Sequence, residues 1–121
     1  MKNEESDEEK RLRGSEARLL STAGFAARSG KILFGTNQIC DALRRGTQML
    51  VLEACDTSEN TAKRLFDRCS YYRTPHHRLS FTDGEALAHS FGKKGQMAAV
   101  GITDPGIISA LGKYLPGGKK S

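Results

Sequence analysis

Residues 49–59 read Met-Leu-Val-Leu-Glu-Ala-Cys-Asp-Thr-Ser-Glu. The first six, 49–54, form a mostly apolar run of strand length, as expected of a strand covered on both faces. Asp56 to Glu59 then has the spacing of a capping box and starts a helix carrying Leu65, Phe66 and Cys69. A covered strand running at once into a capped helix points to layered α/β packing, and the rest of the chain repeats the alternation.

Upstream, Ser15 can cap a helix whose Leu20, Ala23 and Ala27 share one face and which Gly30 ends. Lys31 to Phe34 is a short extended piece. Gly35-Thr36-Asn37 opens a second helix that runs through Leu43 and stops at Gly46. Downstream, Pro75 ends the third helical region and Arg78 to Phe81 makes another strand. Thr82 to Glu85 is a second capping box, before a helix with Leu87 and Phe91. Met97 to Ile102 is the last strand, and Asp104-Pro105 supplies an N-cap and a first-turn proline for a helix with Ile107, Ile108 and Leu111. The pattern predicts an α/β sandwich around one small sheet, with helices on both faces.

Length and composition set the outer limits. The 121 residues suffice for one domain. Residues 1–13 are almost continuously polar and charged, with only Met1 and Leu12 to bury, so they are expected to be disordered or loosely helical. The expected organisation is a disordered charged arm over 1–14, one domain over 15–115, and a flexible basic tail over 116–121. Nineteen Lys and Arg against 14 Asp and Glu give a formal charge of +5. Residues 1–10 hold five acids and two bases, which leaves +8 on the remainder. A part that basic favours polyanions, without choosing among RNA, DNA and an anionic membrane surface.

Several classes drop out. No apolar run approaches the roughly 18–20 residues of a membrane span, and the acidic N-terminus has no signal-peptide core, so a cytoplasmic protein is expected. Cys40, Cys55 and Cys69 are odd in number and include no close pair, so they read as reduced core residues. His76-His77 beside Pro75 reads as a solvated polar loop, and no metal site is expected. Cys55-Asp56 ends the central strand, where α/β enzymes often place catalytic groups, but a nucleophilic cysteine would need a base and an anion hole. Asp56 is more simply a helix cap. The glycines fall singly at turns, with no phosphate-binding loop. No catalytic residue and no cofactor is expected.

The informative segment is the turn into the second helix, Gly30 to Gln38. A helix start offers unpaired N–H groups and the positive dipole end, both suited to a phosphate backbone. Asn and Gln amides carry donor and acceptor together, as reading a purine edge requires. Equally, Gly35 could be a plain turn residue and Asn37 a cap, and local pattern leaves the two open.

In order along the chain come Ala27-x-x-Gly30-Lys31, Gly35-Thr36-Asn37-Gln38, Arg44-x-Gly46, the strand 49–54 and Asp56-x-Ser58-Glu59-Asn60-Thr61. Cys69 with Tyr72, Pro75, Gly92-Lys93-Lys94 and Val100-Gly101-Ile102-Thr103-Asp104 follow. This series, over about three quarters of the chain, resembles the kink-turn-binding ribosomal protein family of the L7Ae and L30e type, in its small bacterial YlxQ-like branch. The resemblance implies a three-layer α-β-α sandwich around one small mixed sheet that grips RNA at one end. It implies that Gly35, Thr36, Asn37 and Gln38 meet the sheared G·A pairs of a kink-turn, with Asn37 and Gln38 on guanine edges. Lys31 is carried into the same set. It further implies that Lys93, Lys94, Gly95, Gln96 and Met97 pack against bases of the bulge.

This chain departs from the archaeal-type pattern, which has lysines where Leu33 and Phe34 stand and another where Asp41 stands. Losing those cations should weaken phosphate contact. Arg44 and Arg45 suit a helix C-terminus, and Lys63, Arg64 and Arg68 read as the solvated face of the third helix. The expected function is a noncatalytic, monomeric RNA-binding protein of the ribosomal or translation machinery. Its expected partners are a structured, kink-turn-like RNA such as rRNA, and ribosome, translation or transcription proteins, with no membrane. The alternative is a protein-interaction adaptor on the same fold, with the acidic arm as a contact segment.

Overall fold

The computed structural model describes residues 5–115. In chain order the elements are α1 (Asp7–Arg28), β1 (Ile32–Phe34), α2 (Thr36–Arg44), β2 (Leu50–Glu53), α3 (Glu59–Tyr71), β3 (His76–Arg78), α4 (Gly84–Ser90), β4 (Ala99–Ile102) and α5 (Pro105–Leu111), with a 3-10 turn at Gly112–Tyr114. The sheet runs β1-β4-β2-β3, with β4 antiparallel to both its neighbours and β2 parallel to β3. All residues of β2 and β4 are buried, the apolar ones as expected and Glu53 as a buried acid beside His76.

Alternation sorts those side chains into two cores. Leu50, Leu52, Val100 and Ile102 pack with Leu19, Ala23 and Ala26 of α1, Leu87 of α4 and Leu111 of α5. Val51, Ala99 and Met49 pack on the other side with Ile39 and Leu43 of α2 and Leu65 and Cys69 of α3. Each fully buried leucine contributes about 1.5–3 kcal/mol by leaving water. Gly101 lies under α2, where a Cβ would come within 2.8 Å of Met49 Sδ and 3.4 Å of Ile39 Cγ1. The expected α/β sandwich with a mixed sheet is the architecture observed.

Element boundaries differ from those read in the sequence, in some places through an earlier local cap and in others through a distant partner. The first helix begins at Asp7, not after Ser15. Ser6 Oγ accepts from the Glu9 N–H and Glu9 Oε1 accepts from the Ser6 N–H, both at 3.1 Å, which closes a capping box. Asp7, Glu8 and Glu9 sit at the positive dipole end, and the Arg13 guanidinium pairs with Glu5 and lies 4.4 Å from the Phe81 ring centroid. Of the two states expected for the charged start, disordered or loosely helical, residues 7–14 take the helical one, as part of α1. The 116–121 tail lies outside the described residues. The buried stripe of α1 is Glu16, Leu19, Ala23 and Ala26, so Leu20 and Ala27 flank it.

Glu16 explains the displaced third strand. Its buried carboxylate accepts from the Ser80 N–H (2.8 Å), the Phe81 N–H (2.9 Å) and the Thr82 hydroxyl (2.7 Å). Those groups are thereby withdrawn from any ladder, and β3 forms at His76–Arg78 instead of 78–81. His76 is consequently a strand residue with a partner, not a solvated loop residue. Its Nε2 lies 2.7 Å from Oε1 of the buried Glu53, and Arg78 Nε lies 3.8 Å from Oε2. His77 is half-buried, and burial holds its pKa below the ordinary histidine value.

The caps are displaced too. Ser58 caps α3 by accepting from the Thr61 N–H at 3.3 Å, and Asp83 caps α4 by accepting from the Ala86 N–H at 2.8 Å. Asp56, read as the α3 cap, accepts instead from the Gly84 N–H at 2.8 Å and joins the β2–α3 loop to the start of α4. On α3, Phe66 is 62% exposed, so Leu65 and Cys69 alone carry its core stripe. Tyr72 packs against the α2/α3 core while Tyr71 is exposed.

Candidate nucleic-acid interface

The antiparallel pairing of β1 with β4 decides which loops meet. Phe34 at the end of β1 lies opposite Val100 near the start of β4, so the β1–α2 turn and the α4–β4 loop emerge at the same end of the sheet. A direct bond joins them, from the Gly35 N–H to the Ala99 carbonyl at 3.0 Å.

Gly35 is the N-cap of α2, with φ +92° and ψ 158°. That region belongs to glycine, and nothing lies within 4 Å of a hypothetical Cβ, so the backbone conformation is what requires the residue. No side chain caps α2, and its first intrahelical bond runs from the Ile39 N–H to the Gly35 carbonyl. The N–H groups of Thr36, Asn37 and Gln38 precede that bond, which leaves the helix start able to receive an acceptor. Asn37 is thus not a cap. It stands on the second residue of the helix, and its Oδ1 accepts from Arg64 of α3 at 3.1 Å. Gln38 folds back so that its Oε1 accepts from the Phe34 N–H at 3.0 Å. Arg64, read from the sequence as part of a solvated face, is a neighbour of the turn. Nothing local in the sequence signals a contact across 27 residues.

The second segment is tied at its ends. Its backbone is held by the Lys93 N–H to the Ala88 carbonyl (2.8 Å) and the Met97 N–H to the Gly84 carbonyl (3.0 Å). The latter bond shortens β4, which starts at Ala99 instead of Met97. Between these ties Lys94, Gly95 and Gln96 are exposed, and Gly95 has φ +84°. Met97 is half-buried against the α1-side core. Gln96, Met97 and Ala98 face Thr57, Ser58 and Thr61 across a shallow hollow at the start of α3.

Phe34 links the two segments. Its ring meets Phe91 edge-on at 6.2 Å, and Lys93 Nζ lies 4.7 Å from its centroid. A lysine of the α4–β4 loop is thereby held beside the turn. Leu33 packs against the α2-side core, and Asp41 forms an exposed ion pair with Arg44. Lys31 is not part of this cluster. It lies at the other end of β1, four residues and about 13 Å of extended chain from Gly35.

Cys55 stands near this end of the sheet, and burial together with Asp56 and Asp83 raises its thiol pKa, the opposite of what a nucleophile needs. Burial likewise pushes Cys69 up to about 11. Among the described residues no helix is long and apolar enough to cross a membrane.

Fold and interface define a small α-β-α domain that presents a glycine turn at a helix start beside a lysine-bearing loop. The chain belongs to the ribosomal protein L7Ae/L30e/S12e/Gadd45 family, whose model matches residues 17–111. The RNA-binding protein YlxQ of Bacillus subtilis (strain 168) is 33% identical over 88 residues, covering 73% of this chain and 85% of that protein. The RNA-binding protein YlxQ of Enterococcus faecium is 30% identical over 104 residues, covering 86% and 97%. A solved Bacillus halodurans protein of unknown function is similar at a TM-score of 0.73 and 30% identity, covering 81% of this chain and 96% of that one. The Giardia lamblia 15.5 kD RNA-binding protein shares the fold at a TM-score of 0.67 and 17% identity, covering 87% and 88%. The family and branch resembled by the sequence are therefore those the chain matches. This is not a family of enzymes, in agreement with the noncatalytic reading.

Proposed function

We propose that this protein binds a structured RNA, a kink-turn or a related fold, in the ribosome or translation machinery, and does so without catalysis. The observation that carries the proposal is the meeting of Gly35–Gln38 with Lys93–Met97 at one end of the sheet, joined through Phe34. The names of the YlxQ relatives support it. In this reading the helix start and the amides of Asn37 and Gln38 address base edges, while Lys93 and Lys94 meet phosphates and Gln96 and Met97 cover an extruded base. Binding would draw a flexible bent RNA toward its kinked conformer by differential affinity alone.

The test is a titration against a kink-turn RNA, the same RNA with its G·A pairs replaced, and a plain duplex, at two salt concentrations. The kink-turn RNA is expected to bind most tightly at both. Equal affinities would refute specific recognition. Absence of binding even at low salt would favour a protein-interaction adaptor, for which the exposed acid-rich start of α1 is the natural contact segment.

A further inference from the structure

The two amides at the turn are already engaged from within the protein, and the chemistry of their partners fixes which atoms are engaged. A guanidinium only donates, so the Asn37 atom 3.1 Å from Arg64 is Oδ1. A backbone N–H only donates, so the Gln38 atom 3.0 Å from Phe34 N is Oε1. No described residue accepts from either side-chain NH2 group, and both residues are exposed. Asp41, the nearest acid along α2, is occupied by Arg44 and does not draw Arg64 away.

We infer that Arg64 is a positioning residue that sets the hydrogen-bond polarity of the turn, so that Asn37 and Gln38 act as paired donors to the acceptor edge of a guanine, Asn37 to N7 and Gln38 to O6. The inference rests on the RNA-binding reading above and adds to it which edge is read and what fixes it. Without Arg64 the Asn37 amide is free to turn over and offer its oxygen, so an acceptor edge would lose its advantage over a donor edge. The Gln38 side needs no such helper, because the Phe34 N–H belongs to the backbone.

The experiment compares the wild-type chain with Asn37→Ala, Arg64→Ala and the double variant. Each is titrated against a kink-turn RNA carrying either guanine or 7-deazaguanine at the G·A pairs, with both RNAs first checked to fold in magnesium alone. The lost N7 acceptor is expected to weaken the wild-type chain about fivefold or more. That penalty is expected to shrink sharply in Asn37→Ala and in Arg64→Ala, and no further in the double variant. Thermal unfolding should stay unchanged, since Arg64 is a surface residue. If Arg64→Ala weakens both RNAs equally, with a reduced salt slope and an undiminished penalty, Arg64 is a phosphate contact and the inference is overturned. A wild-type chain that prefers the kink-turn over a duplex yet shows no penalty would overturn the inference and leave the RNA reading standing. Equal wild-type affinity for kink-turn, G·A-replaced and duplex RNA would remove both.

Discussion

The β1–α2 turn and the α4–β4 loop lie side by side, yet they are held in different ways. In the turn the Gly35 and Phe34 N–H groups and the Asn37 oxygen all have partners, from β4, Gln38 and Arg64 in turn. In the loop only the two ends are tied, at Lys93 and Met97, and Lys94 to Gln96 lie exposed between them. A surface organised before binding loses little entropy when a ligand arrives, and it can discriminate by geometry. A loop fixed only at its ends can adapt its cations to whatever phosphates the RNA presents, which gives affinity with less discrimination. Under the proposed RNA binding, the turn would act as the reader and the loop as the grip.

Breaking the turn should therefore cost more than breaking the loop. Gly35→Ala has the largest expected effect. Forcing a Cβ into that backbone region costs about 1–3 kcal/mol of stability, measurable by chemical denaturation, and RNA discrimination should fall with it. An unchanged midpoint would show that the turn can relax. Asp56→Ala should come next, since it leaves the Gly84 N–H without its partner, at a cost of about 1–2 kcal/mol. Because Gly84 also anchors Met97, amide exchange at Met97 should quicken in that variant while exchange at Gly35 does not. Equal acceleration at both would mean that the two segments move as one unit. Gly95→Ala should cost least, about 1 kcal/mol, because the exposed loop around it can share the strain of its φ of +84°.

The residues that carry this comparison were unequally visible in the sequence. The apolar run at 49–54 announced a strand covered on both faces, and Asp104 caps α5 as its position before Pro105 suggested, accepting from the Gly106 and Ile107 N–H groups. Gly35 was identifiable as a turn because a helix must start there after a strand. Hidden from local pattern were the bonds that span the chain. Glu16 reaches residues 64–66 positions away, Asp56 reaches Gly84 28 positions on, and Arg64 reaches back 27 to Asn37. Each displaced a boundary or a role that local spacing alone had assigned, because a polar side chain with several hydrogen-bond partners in reach takes the one the tertiary fold presents. A different cause, strand geometry, removed Lys31 from the cluster. It is four residues from Gly35 in the chain, and an extended strand sets the two far apart.

The division into reader and grip is tested most directly by one ratio, the affinity for a kink-turn RNA over the same RNA with its G·A pairs replaced, measured for Asn37→Ala and Lys93→Ala side by side. The ratio is predicted to fall about fivefold or more in Asn37→Ala. In Lys93→Ala it is predicted to hold while both affinities drop and the salt slope falls by about one phosphate contact. An unchanged ratio in Asn37→Ala, or an equal fall in both variants, would contradict the account.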